Sequence, residues 1–219
     1  MSTFPNSPKL IKAGLVIVDA NTARVLRIIS LQYNSDSLTR SLTAQTAGGS
    51  DHDRVEPMRF KGPAVETFKL EADIDATDQL EFPEQNPNAR KYGIQPQLAL
   101  LESLVYPTAS QLASVDSQAS SGTLEIAPML APLVLFVWGN NRIVPVKVSD
   151  FSITEEAFDA ALNPIRAKLS LGLRVMSTDD LGFGTKGGSL YMAYLQNKEK
   201  LATKAQSASF ATLGIGGIA

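Results

Sequence analysis

Residues 163–175, NPIRAKLSLGLRV, follow one rule from end to end. Ile165, Ala167, Leu169, Leu171, Leu173 and Val175 occupy every second position. Arg166, Lys168, Ser170, Gly172 and Arg174 stand between them. A period of two is the period of a strand, whose successive side chains point to opposite faces. One face of this strand therefore packs a core. The other carries three cations and no carboxylate. Such a face suits a solvated surface, an interface with the carboxylates of a neighbouring subunit, or the wall of a wet lumen. A second strand, VETFKLEADI (65–74), offers candidate partners. Its Lys69, Glu71 and Asp73 alternate with Phe68, Leu70, Ala72 and Ile74.

The remaining segments extend this mainly β reading. LIKAGLVIV (10–18) and RVLRIISLQY (24–33) are rich in β-branched residues, and DANTA (19–23) between them has turn composition. Together they predict an opening hairpin. LTRSLTAQ (38–45) reads as a shorter third strand. LVLFVWG (133–139) is nearly continuous apolar sequence, as in a strand buried on both faces. GNN marks a tight turn, RIVPVKVSDFSI (142–153) returns, and the alternating strand follows. Residues 133–175 thus read as a three-stranded meander. TEEAFDAALNP (154–164) is expected to be a short helical or turn connection, with Thr154-Glu155-Glu156 as a helix start. One helix is expected over IQPQLALLESLVYP (94–107), from the spacing of Leu98, Leu101, Leu104 and Val105 and the stop at Pro107.

Between these lie segments read as irregular: a long mobile loop over 46–64, a polar connection over 76–93 and a Ser/Ala-rich excursion over 108–128. After Val175 the texture changes. STDDLGFGTKGGS (177–189) reads as a Gly-rich linker, and LYMAYLQNKEKLATKAQ (190–206) as a weakly amphipathic helix with Leu190, Tyr194, Asn197 and Leu201 on one side. SASFATLGIGGIA (207–219) reads as a tail ordered only by a partner. The expected division is a β domain over 1–176 and a linker, short helix and flexible tail over 177–219.

No segment carries an enzyme signature, and no catalytic residue, cofactor or metal is expected. The chain has no cysteine, so thiolate chemistry and thiolate metal sites are excluded. Its one histidine, His52, is flanked by Asp51 and Asp53 but has no second nitrogen ligand anywhere in the chain, and reads as a loop residue. GFGTKGGS (182–189) lacks the spacer of a phosphate loop and the bracketing strand and helix. Glu155 and Glu156 are adjacent and point apart. Trp138, in an apolar strand, reads as core. The net charge of −2 offers no bulk attraction to nucleic acid. No run approaches the roughly 20 apolar residues that span a bilayer, and MSTFPNSPKLIKAGLVIVD is not a signal peptide. Synthesis and folding in the cytoplasm are expected.

Three segments taken together resemble a known family. They are GLVIVDANTARVLRIISLQYNSDSLTRSL (14–42), IQPQLALLESLVYP (94–107) and LVLFVWGNNRIVPVKVSDFSITEEAFDAALNPIRAKLSLGLRV (133–175). Their order, LQYNSDSLTRSL, the helix ending in Tyr-Pro and the NPIRAKLSLGLRV ending are similar to contractile injection system tube-type proteins. Within these they resemble the baseplate component whose tube-like domain often precedes a LysM module. The resemblance implies a fold like phage tail tubes, with two packed antiparallel sheets or a barrel, a flanking helix and here a C-terminal helical arm.

It also implies a structural role, in a homo-hexameric ring that joins the spike or hub to the inner tube and starts tube assembly. Expected partners are further copies, the spike or hub protein, the inner tube or tube-initiator protein and other baseplate proteins, with no nucleic acid and no direct membrane insertion. The particle would be released by lysis or retained in the cell. Residues 176–219 are too short and too rich in Gly and Ala for LysM, and are expected to be an arm that folds onto an adjacent baseplate protein. A tube-initiating or terminal ring elsewhere on the axis, and a stand-alone β-sandwich binding module, are the competing expectations. Within the ring, Arg166, Lys168 and Arg174, with Lys69, Glu71 and Asp73, would face a neighbour or the lumen.

Overall fold

The computed structural model describes residues 11–46, 59–120 and 131–218. Seven strands form its frame: β1 (Gly14–Val18), β2 (Val25–Ser30), β3 (Leu38–Thr46), β4 (Phe60–Asp75), β5 (Leu133–Val137), β6 (Ile143–Phe158) and β7 (Pro164–Val175). The helices are α1 (Thr77–Leu80), α2 (Pro87–Tyr92), α3 (Gln95–Glu102), α4 (Ala109–Ser120), α5 (Thr178–Leu181) and α6 (Lys186–Ala202), with a 3-10 turn at Phe210–Leu213. The mainly β class agrees with the sequence. The strands do not divide into two sheets, however, and they do not close. They form one antiparallel sheet in the order β2-β1-β5-β6-β7-β4-β3, open at both ends.

The open seam has a topological cause. Six antiparallel pairings leave β2 and β3 running in the same sense. A parallel pair needs a crossover of a dozen or more residues, and only residues 31–37 join these two strands. The sheet nevertheless curls. The rings of Phe68 on β4 and Phe136 on β5 lie 5.3 Å apart, although β6 and β7 intervene between their strands. Three steps of ~4.8 Å would separate them by roughly 14 Å in a flat sheet. Gln32, just past β2, exchanges hydrogen bonds of 2.7 and 2.9 Å with the backbone of Asp75 at the end of β4. The two open ends are thus drawn together over a shared interior.

β7 holds this interior in place. Ala167, Leu169, Leu171, Leu173 and Val175 are buried, as their alternation predicts, and Ile165 is half-buried. They meet Phe68, Leu70 and Ala72 of β4 and Phe136, Val144 and Val146 of β5 and β6. Ile94, Leu98, Leu101 and Leu104, in and around α3, add to the same core. Tyr191 and Tyr194 of α6 enter it as well. Trp138 packs on Phe136 at 5.8 Å, in accord with a core role.

Several local expectations change. TEEAF continues β6 to Phe158, paired with β7 as far as Pro164, so Thr154-Glu155-Glu156 is strand and not a helix start. Cross-strand pairing along β7 outweighs the weak acidic helix signal. Residues 76–93 form α1 and α2, and α3 is shorter than the predicted 94–107 helix. Residues 60–64, read as loop, extend β4, and 47–58 lie outside the described residues. Residues 109–120 form α4, while 121–128 lie outside the described residues.

The Gly-rich stretch 177–189 contains α5 and the start of α6. Ser177 and Asp180 form a capping box, and Thr185 caps α6. Its glycines serve close approach: a Cβ on Gly188 would sit 2.2 Å from the Gly182 carbonyl oxygen, and one on Gly187 would sit 2.9 Å from Leu181.

The Phe68 ring, with no exposed surface, anchors the curl. Phe68→Ala is expected to cost about 3–5 kcal/mol, the range for a fully buried aromatic truncated in a tight core. Urea unfolding measures it, and an unchanged midpoint would mean the interior does not depend on this contact.

Candidate functional site

The register of β7 sets one surface. Arg174, Gly172, Ser170, Lys168 and Arg166 face Thr67, Lys69, Glu71, Asp73 and Asp75 of β4 in turn. On the other side they face Lys147, Asp150, Ser152, Thr154 and Glu156 of β6. β3 continues the same side with Thr39 against Lys69 and Ser41 against Thr67. All six residues singled out in the sequence, Arg166, Lys168, Arg174, Lys69, Glu71 and Asp73, therefore lie on one face of adjacent strands. That face is hydroxyl-rich and carries both signs of charge.

The three cations are already paired within the subunit. Arg166 contacts Asp75 at 2.6 Å through Nη2 and at 2.8 Å through Nε. Lys168 reaches Glu156 at 3.2 Å, and Arg174 reaches Asp180 at 2.9 Å. Asp73 stands directly across from Lys168, yet the ammonium turns to Glu156 on the opposite strand. Exposed pairs of this kind contribute only about 0–1 kcal/mol each. Their larger effect is to leave a face with little net charge and no free cationic stripe.

Hydrogen bonding tunes the carboxylates. Asp75 is held below its ordinary value, chiefly by the Thr77 hydroxyl, then by the Thr77 backbone N–H and the Arg166 guanidinium. Arg166 is raised in return by Asp75. Burial pushes Asp180 upward, but the Ser177 backbone N–H and Arg174 outweigh it and leave it lowered.

A second charged cluster was not anticipated. Glu66 is 3% exposed and accepts hydrogen bonds from the Tyr194 hydroxyl at 2.9 Å and Lys198 Nζ at 2.6 Å. Arg40 approaches at 3.8 Å. Burial and the Glu66 carboxylate raise the Tyr194 hydroxyl well above its ordinary value, so it stays a donor. The cluster fastens α6 to β4 and β3. A signal did exist: Glu66 shares its parity with Phe68, Leu70 and Ala72, so its carboxylate points inward.

The strand edges complete the surface. β5 pairs with β6 only from Ile143 to Val146. Beyond that point β6 has β7 on one side and, among the described residues, an open edge on the other. Among the described residues, β3 is open opposite β4, and β2 is open opposite β1. Open edges present unpaired backbone groups and invite pairing with another chain. Among the described residues, no group of three His, Cys, Asp or Glu side chains is placed to hold a metal, and no helix is long and apolar enough to cross a membrane. His52, Asp51 and Asp53 lie outside the described residues.

A filled interior, a polar sheet face and open edges define a structural β protein. The chain belongs to the family of contractile injection system tube proteins, whose model matches residues 9–182. No curated protein matches the chain. It is thus a structural, tube-like component of a contractile injection system.

The lowered carboxylates set a pH dependence. A carboxylate depressed in the fold stabilises it above the unfolded value near 3.8, and the contribution is lost as pH falls through the lower folded value. Stability is therefore expected to decline from about pH 4 downward. Asp180→Asn should make that decline shallower in thermal melts between about pH 2 and 5. An unchanged slope would mean that Asp180 keeps its ordinary value in the fold.

Proposed function

We propose that this chain forms a six-membered baseplate ring that joins the spike or hub to the inner tube and starts tube assembly. The observation that carries the reading is the pairing of a filled interior with open edges. Phe68, Phe136, Leu169, Leu171 and Leu173 close the inside of each subunit, so no passage runs through a single copy. A channel must therefore run between copies. The four strands β3-β4-β7-β6 supply its wall, with their polar face toward the channel.

Lys69, Glu71, Asp73, Arg166, Lys168 and Arg174 then line the channel. Arg166, Lys168 and Arg174 are paired within the subunit, and Lys69, Glu71 and Asp73 add charges of both signs, so the channel is wet and nearly neutral and a passing chain meets little electrostatic hold. Copies join where the edge of β3 meets the open half of β6 in the next copy. The two strands run in opposite senses within the sheet, so this junction is antiparallel. The ring number and the place at the baseplate rest on the resemblance of the sequence to baseplate members of the family. The expected partners are further copies, the spike or hub, the inner tube and other baseplate proteins.

Electron microscopy of lysates with and without the gene tests the role, and native mass spectrometry of the purified chain tests the ring. A six-copy species, and a deletion strain with no particles or with tubes and sheaths lacking baseplates, are expected. Complete contractile particles in the deletion strain would remove the chain from the baseplate.

A further inference from the structure

The two open ends of the sheet are tied by Gln32 and Asp75, and a hollow of about 480 Å³ lies beside that tie. It opens where β3 stops pairing with β4 at Leu70, so that residues 71–75 of β4 have no strand on that side among the described residues. The end of β2, the end of β4 and side chains of α1 and α3 line it. Buried Ile29, Leu101 and Leu169, all of the core, give it an apolar floor. Ile28, 65% exposed, stands at its mouth.

The polar groups around the hollow are short of donors. Gln97 Oε1 is buried and has no hydrogen-bond partner among the described residues. Asp73 and Asp78 are exposed and make no ion pair among the described residues, since Arg166 turns to Asp75 and Lys168 to Glu156. Among the lining residues Lys12 is the one cation, and the two carboxylates outnumber it. The Gln32 side chain, which could donate, is already engaged with Asp75. A buried acceptor without a donor is costly, so the hollow favours an occupant that brings donors and positive charge. Its floor favours an apolar body.

We propose that this hollow, where an apolar floor meets Gln97, Asp73 and Asp78, binds a short apolar segment of a partner protein that carries an arginine. A guanidinium is planar, weakly hydrated and carries five donors, so it can serve the buried amide oxygen and a carboxylate together, whereas an ammonium is a compact, strongly hydrated point charge. The aliphatic stem of the arginine lies along the floor, as long cationic side chains do on apolar surface. The volume lies in the range of ligand pockets and leaves room for an apolar neighbour of the arginine. The site is separate from the strand edges that join copies, and the proposal goes beyond the ring reading without needing it.

NMR of the full chain, followed at leucine methyl and glutamine side-chain amide signals, tests the site with acetyl-Leu-Arg-amide as the probe. The probe is expected to shift Leu101, Leu169 and the Gln97 amide at millimolar concentration, and acetyl-Leu-Glu-amide is expected to leave them in place. The double variant Asp73→Asn with Asp78→Asn should bind the arginine probe at least fivefold more weakly, and Gln97→Met should also weaken it. Thermal melts show that each variant is folded. No shift with the arginine probe, equal shifts with both probes, or undiminished binding by the double variant overturns the proposal. A response to the glutamate probe alone also overturns it, and would assign the hollow to an acidic segment held by Lys12.

Discussion

β7 bonds β4 along one side and β6 along the other for almost its full length, and every second side chain on it is inside. That double pairing is the constraint on which the rest depends. A one-residue slip would turn the cations inward and the leucines outward. Gly172 shows how tightly the register is set: a Cβ there would lie 2.9 Å from the Asp150 Cβ, where β6 shifts register. With β7 fixed, the polar sides of β4 and β6 share one face, and the apolar sides share the curl.

The curl and the seam have different origins. Burial of Phe68, Phe136 and their neighbours rolls the sheet, since large apolar side chains gain most by leaving water together. Strand parity keeps it from closing, because β2 and β3 run the same way and only residues 31–37 connect them. The helices α3 and α6 add apolar side chains to the core, and the buried Glu66 cluster ties α6 down. A buried carboxylate is tolerable only when its oxygens are satisfied, and here Lys198 and Tyr194 meet both. What remains is a solid unit with bare edges.

Much of this was legible in the sequence, because β7 and the inner half of β4 carry a strict period of two. The continuous apolar run at 133–137 likewise marked β5. The illegible parts are those decided by distant contacts. The Glu155–Phe158 stretch looks helical by local composition and becomes strand because β7 pairs with it. The run GFGTKGGS looks flexible, yet Gly187 and Gly188 are there to let α5 and α6 approach. The six charged positions share one face of β4 and β7, as the alternation of each strand implies, but the partners of Arg166, Lys168 and Arg174 within the subunit could not be read from it. Asp180 sits on a helix that composition hides, and Asp75 and Glu156 lie at strand ends where register cannot be read locally.

The central claim is that copies join through the edge of β3 and the open half of β6. Hydrogen–deuterium exchange of the assembled and the dissociated protein tests it most directly. The account predicts that backbone amides of residues 38–46 and 148–158 gain protection on assembly, while those of β7, already paired on both sides, do not change. Equal exchange at both edges in the two states would contradict it.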